Sequence, residues 1–187
     1  VDTDEGGWRP ILGPSEVAFD ASMPVPHALT NDEIHQISQQ FVQAAQFSQI
    51  AGYDVVEIHI AHGYLLHSFL SPITNKRTDQ YGGDLKNRMR FPLQVCDSVR
   101  RAWPAHLPVF VRISATDWAE NGWDLEQSVL FCKELQRIGI DLIDVSSGGL
   151  IPNAIVPAKP GYQTPFAQTI KHTCSIPTGT VGLISTA

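Results

Sequence analysis

Apolar residues recur at helical spacing in four stretches of the chain, and each stretch leads into a short apolar run of strand length. In the first, Thr30 followed by Glu33 makes a capping-box pattern: the hydroxyl accepts from an orphan backbone N–H and the carboxylate reaches back to the cap. Ile34, Ile37, Phe41, Ala44 and Ala45 then keep one helix face as far as residue 50, where Gly52 ends the helix. Residues 54–60 (DVVEIHI) are short and β-branched, which fits a strand buried on both faces.

The same order returns three times. Residues 84–101 read as a helix, which Pro92 should kink or deprive of one hydrogen bond, and residues 108–113 (PVFVRI) as its strand. Asp124 caps a helix containing Leu125, Val129, Leu130 and Leu135, Gly139 closes it, and residues 141–145 (DLIDV) follow as a strand. Thr164 and Pro165 offer an N-cap and a first-turn proline for a helix through Lys171, with an apolar strand at 178–184. Residues 51–58 (AGYDVVEI) and 138–145 (IGIDLIDV) form a weak internal repeat. The first 29 residues hold Gly and Pro without sustained periodicity and read as a long loop.

Strands that alternate with helices imply an α/β fold with a parallel sheet, either open and doubly wound or closed as a (β/α)8 barrel. No G-x-G-x-x-G or G-x-x-x-x-G-K-[ST] follows any strand, so the nucleotide-binding open sheet loses its usual support. A barrel takes roughly 250 residues and eight units. Four units in 187 residues read as a partial barrel with two open sheet edges. The start at Val1 and the stop just after an apolar run fit a chain cut at both ends.

Composition narrows the class. With 43% hydrophobic and 17% charged residues the chain is an ordinary globular sequence, neither disordered nor collagen-like. A net charge of −6 and no Lys/Arg cluster argue against a nucleic-acid or anionic-membrane surface, while a small anionic cofactor is still accommodated by one local Arg or a set of backbone amides. No apolar run approaches the roughly 18 residues of a membrane span, and no signal-peptide pattern opens the chain. Cys96, Cys132 and Cys174 are widely spaced and read as reduced core thiols, so a soluble, cytoplasmic protein is expected.

In a barrel the site is assembled at the C-terminal ends of the strands. The first strand ends in His59, His62 and Tyr64. With His67 nearby the histidines could be a metal pair, a hydrogen-bond donor pair or exposed loop residues, and no carboxylate has the spacing of a third ligand. The second strand ends in Arg112, which points away from its apolar neighbours Val111 and Ile113, either to a carboxylate such as Asp117 or to an anionic ligand. The third ends in Ser146, Ser147, Gly148 and Gly149, small enough for a flat or phosphorylated ligand to reach backbone amides. Arg77, Asp79, Arg88 and Arg90 read as an ion-paired loop and helix start, and Trp118 and Trp123 as a substrate mouth or as packing beneath their loop.

The run from Gly52 through His59, His62, Tyr64 and Ser71-Pro72, continuing into Asn75-Lys-Arg-Thr-Asp-Gln-Tyr-Gly-Gly and Asn87-Arg88, resembles the Old Yellow Enzyme family of FMN-dependent ene-reductases. The likeness extends through Phe110-Val-Arg112-Ile-Ser-Ala, Asp141-Leu-Ile-Asp-Val-Ser-Ser-Gly and Pro160-Gly-Tyr-Gln, and the His-x-x-His form resembles its YqjM-like and xenobiotic-reductase branch. It implies a TIM barrel present from the loop after the third strand (residues 1–29) through the seventh strand (within 30–187), one partial FMN-binding domain.

By the same resemblance, His59 and His62 bind the carbonyl or nitro oxygen of an activated alkene and Tyr64 donates the proton. Arg112 lies beside the flavin N1 and C2 carbonyl, His59 is a further flavin contact, and Val181 and Gly182 fall where the FMN phosphate begins to be held. NAD(P)H is the implied reductant, a small enone or nitro compound the substrate, and no metal is implied. The family's first three strands and its Gly-Arg phosphate segment lie outside this sequence, so weak or no FMN binding by this chain alone is expected. The competing readings are a segment of a larger related flavoprotein, of dienoyl-CoA reductase or amine dehydrogenase type, and a non-catalytic truncated product that binds a partner or nothing; as an enzyme segment, the half-barrel could pair with itself as a homo-oligomer to assemble a cofactor site.

Overall fold

A computed structural model describes residues 3–185. After a 3₁₀ turn at Thr3–Glu5 come β1 (Leu12–Gly13), β2 (His27–Ala28), α1 (Asn31–Ile50), β3 (Val56–Ile60), α2 (Leu65–Leu70) and α3 (Leu85–Ala102). They are followed by β4 (Val109–Ser114), α4 (Leu125–Ile138), β5 (Leu142–Ser146), α5 (Thr164–Cys174) and β6 (Thr178–Thr180). β3, β4, β5 and β6 form one parallel sheet in chain order, and each is preceded by its helix, so the four expected units are present. Four consecutive units are half of what a closed eight-stranded barrel contains.

Local chemistry accounts for the boundaries. Thr30 accepts from the Glu33 amide while Glu33 reaches back to Thr30, completing the capping box that starts α1. Asp84 and Asp124 cap α3 and α4 by accepting from Asn87 and Gln127, and Gly139 ends α4 at φ 92. α3 runs without a break through Pro92, which simply lacks the N–H of one helical bond.

Four expectations are corrected. The stretch before residue 30 is not wholly loop, because β1 and β2 pair in parallel there. Thr164 is the first residue of α5 rather than its cap, which is Gln163. The last strand is short, so Val181 and Gly182 lie beyond it. β3 is buried on one face only: Ile58 and Ile60 are covered by the helices, while Glu57 and His59 lie on the other face. That second face is the less covered one, with Glu57 exposed and His59 half-buried.

The core lies between the sheet and α1, α3, α4 and α5, built on Ile58, Val111, Ile113, Ile143 and Val145 beneath Phe91, Phe131 and Ile170. The short helix α2 has no counterpart in the sequence reading; it packs on α3 and carries the loop after β3 back over the sheet end. Arg77 ties the N-terminal stretch to this loop by donating to the carbonyls of Leu29 and Pro14 while pairing with Asp79 at 2.6 Å. Arg88 is buried and makes no ion pair among the described residues; it donates to the carbonyls of Leu70 and Gly83 and, at 2.8 Å, to Gln127 Oε1, joining α2, α3 and α4. Replacing Arg88 by Leu should strand the Leu70 carbonyl and cost about 2–3 kcal/mol, read as a lower urea midpoint at unchanged slope.

Candidate functional site

Strand register builds the first part of the site. His59 of β3 lies opposite Arg112 of β4, and Arg112 lies opposite Asp144 of β5, a row on the uncovered face of the sheet. Arg112 Nε approaches Asp144 Oδ2 to 3.3 Å without hydrogen-bond geometry, and this buried nitrogen donates to nothing. Asp144, not Asp117, is therefore the partner of Arg112. Asp117 sits on the far side of the loop after β4, accepting from Ser71 Oγ and the Trp123 amide at 2.6 and 2.7 Å. The guanidinium keeps donor capacity directed at the uncovered face, a place that suits an anionic or carbonyl-rich ring system.

A strained turn builds the second part. His62 holds φ 58 and Gly63 φ 76, both in the left-handed region. For an imidazole-bearing residue this conformation is costly and persists only where the surroundings impose it. Ser114, at the end of β4, does so: its hydroxyl accepts from the His62 amide at 2.9 Å and donates to the Gly148 carbonyl at 2.8 Å. The turn also presses on the loop after β5, where a Cβ on Gly149 would lie 2.6 Å from His62 Cα and one on Gly63 2.4 Å from the Gly149 carbonyl oxygen. Gly149 thus serves a backbone-to-backbone contact, where the sequence suggested room for a ligand.

The turn gathers the rings. The His59 and His62 centroids are 5.2 Å apart, those of His59 and Tyr64 5.3 Å, and Tyr64 is 65% exposed. Burial, and then nearby positive charge from Arg112, lower the pKa of His59; burial, then His59 and Arg112, lower that of His62. Both rings are therefore neutral at pH 7, each with one N–H donor. His62 Nε2 lies 2.7 Å from Ser146 Oγ. Beside it Trp118 Nε1 donates to Ser147 Oγ, Ser147 donates to Gln163 Oε1, and Gln163 Nε2 donates to the Val181 carbonyl at 2.8 Å. Val181 and Gly182 are thereby tied to the loop after β5, and Gly182 holds φ 120, where a Cβ would strike the Tyr162 ring at 2.8 Å.

His67 does not join the cluster. It is fully buried, accepts from the Gly63 amide and faces Asp117. Among the described residues no group of three His, Cys, Asp or Glu side chains is arranged to hold a metal ion. Trp123 is buried beneath its loop, whereas Trp118 is half-buried against Phe166 with its N–H used by Ser147. Ser114, Ser146 and Gln163 went unrecognised as supports; the signal was that two serines end adjacent strands, opposite one another in register.

Residues 4–187 match the family described as NADH:flavin oxidoreductase / NADH oxidase. The chain belongs to this family. Its flavin barrel enzymes include the Old Yellow Enzymes, and FMN with NAD(P)H is the cofactor pair the family indicates. The chain is 46% identical over 176 residues to an NADPH dehydrogenase of Halalkalibacterium halodurans, covering 94% of this chain and 51% of that protein. It superposes on a 2-naphthoyl-CoA reductase with TM-score 0.86 at 28% identity, covering 94% of this chain and 27% of the other. For morphinone reductase the values are 0.75 and 28%, over 91% of this chain and 49% of the other. The chain thus spans about half the length of the curated relatives it matches.

No helix among the described residues is long and apolar enough to cross a membrane. Gly149→Ala should combine a left-handed φ with a backbone clash and destabilise the protein by about 2–4 kcal/mol, measured by chemical denaturation. The two histidines carry pKa values below their unfolded 6.5, so the unfolded state binds the extra protons. Their contribution is complete above pH 6.5 and is lost as pH falls through the lowered values; the double variant H59Q/H62Q should show a flatter stability–pH curve in that window.

Proposed function

We propose that this chain supplies the substrate-polarising half of an FMN-dependent NAD(P)H oxidoreductase that reduces the activated C=C bond of α,β-unsaturated carbonyl or nitro compounds. The observation that carries the reading is the gathering of two neutral imidazoles and an exposed phenol at the end of β3, in register with Arg112.

The residues fit a flavin. The buried Arg112 Nε is without an acceptor, and the row His59, Arg112 and Asp144 lines an uncovered face. Arg112 and His59 would hold the ring, and the backbone of Val181 and Gly182 would begin the phosphate seat, all within one partial domain over residues 1–187. The chemistry supplied by bound FMN is hydride transfer from NAD(P)H to the β carbon of the alkene.

The chain's own residues do the rest. His59 and His62 donate N–H bonds to the carbonyl or nitro oxygen, and these bonds strengthen as negative charge develops there. Neutral rings suit the task, since a neutral imidazole donor polarises the oxygen without delivering a full proton to it. Tyr64 gives its phenolic proton to the α carbon, and its exposure lets solvent replace that proton. The Arg112 cation favours the ring when it is electron-rich. The 2-naphthoyl-CoA reductase likeness supports a second reading, a conjugated CoA thioester as substrate; the same donors would serve its carbonyl.

In the protein carrying this chain at native length, H59A/H62A should weaken binding of a phenol such as 4-hydroxybenzaldehyde by about 100-fold, two hydrogen bonds of roughly 1.4 kcal/mol each. Unchanged affinity, followed by flavin absorbance, refutes the donor assignment.

A further inference from the structure

His67 and Asp117 are fully buried, come from α2 and from the loop after β4, and neither touches the uncovered face. We propose that His67 is a positioning residue that holds His62 and Tyr64 through the Gly63 amide, with Asp117 selecting which ring nitrogen carries the proton. The proposal rests on the role given to His62 and Tyr64 above.

The Gly63 N–H donates to His67 Nδ1 at 2.9 Å. Nδ1 therefore offers its lone pair, and a neutral ring then carries its hydrogen on Nε2. Nε2 faces Asp117 Oδ1 at 3.1 Å in a bent approach, and neither atom has a hydrogen-bond partner elsewhere. The carboxylate cannot turn away, because its other oxygen accepts from Ser71 Oγ and the Trp123 amide, and Gly122 packs so tightly that a Cβ there would lie 2.8 Å from it. The order of control runs from the loop after β4 to the carboxylate, to the imidazole, to one backbone N–H.

That N–H belongs to the residue between His62 and Tyr64. The left-handed pair His62–Gly63 is otherwise held by Ser114 at the His62 amide, by Ser146 at the His62 ring, by the Tyr64 amide donating to the Ala61 carbonyl at 3.2 Å and by the contact with Gly149, but none of these engages the Gly63 N–H. A buried polar pair is a poor source of stability, since an apolar pair of the same volume packs as well without the desolvation cost. What the pair adds is direction: it orients the turn whose two side chains face the substrate.

The test uses the native-length, flavin-loaded protein. His67→Asn keeps an acceptor near the Nδ1 position, and His67→Leu removes it. For H67L, faster hydrogen exchange at the Gly63 amide and about tenfold weaker binding of 4-hydroxybenzaldehyde are expected, with both recovered in H67N. Imidazole ¹⁵N spectra of the unsubstituted protein should show His67 neutral with its proton on Nε2. Wild-type Gly63 protection and phenol affinity in H67L overturn the proposal, as does a His67 proton on Nδ1, which can be read even if H67L does not fold. If the phenol fails to bind the unsubstituted protein, the functional reading falls, while Gly63 exchange and the His67 tautomer still decide the role of His67.

Discussion

Side chains alternate along a strand, and one face of this sheet must be buried; that single constraint decides where the reactive groups on the strands stand. Once Ile58, Val111, Ile113, Ile143 and Val145 turn to the helices, His59, Arg112 and Asp144 have no choice but the opposite face. Parallel pairing then sets them abreast on neighbouring strands. A slip of one residue in any strand would exchange the polar row for the core, so the hydrophobic effect that stabilises the sheet also holds the site in register.

The strand ends extend that order by other means. There the backbone leaves the ladder, and its amides must find partners in other loops or among side chains. Ser114 meets this need at the His62 amide, and Ser146, its neighbour in register, holds the His62 ring. The resulting loops are joined by hydrogen bonds from Trp118 to Val181, so the ends of β4, β5 and β6 form one connected rim.

Much of this was legible in the sequence because it follows from local rules. Capping residues, 3.6-residue periodicity and glycine stops located the four helix–strand units to within a few residues, and the uneven neighbours of Arg112 showed that it leaves the core. The candidate ring cluster was legible too, since His59, His62 and Tyr64 stand close together in the chain. What escaped was long-range. The partner of Arg112 depends on register between strands over thirty residues apart, and Asp117 was the plausible choice only by nearness in sequence. The role of Gly149 depends on a loop 87 residues earlier, and α2 is too short for periodicity to reveal.

The contact between Gly149 and the His62–Gly63 turn has a consequence for how such a chain can change. Two loops that touch backbone to backbone cannot vary in length independently: one added residue in either would push the other off its place and swing His62 with it. The loop after β3 and the loop after β5 then change together, and the loop after β6 is drawn into the same constraint, because the Gly161 amide donates to the Gly182 carbonyl at 3.0 Å and Gln163 to that of Val181.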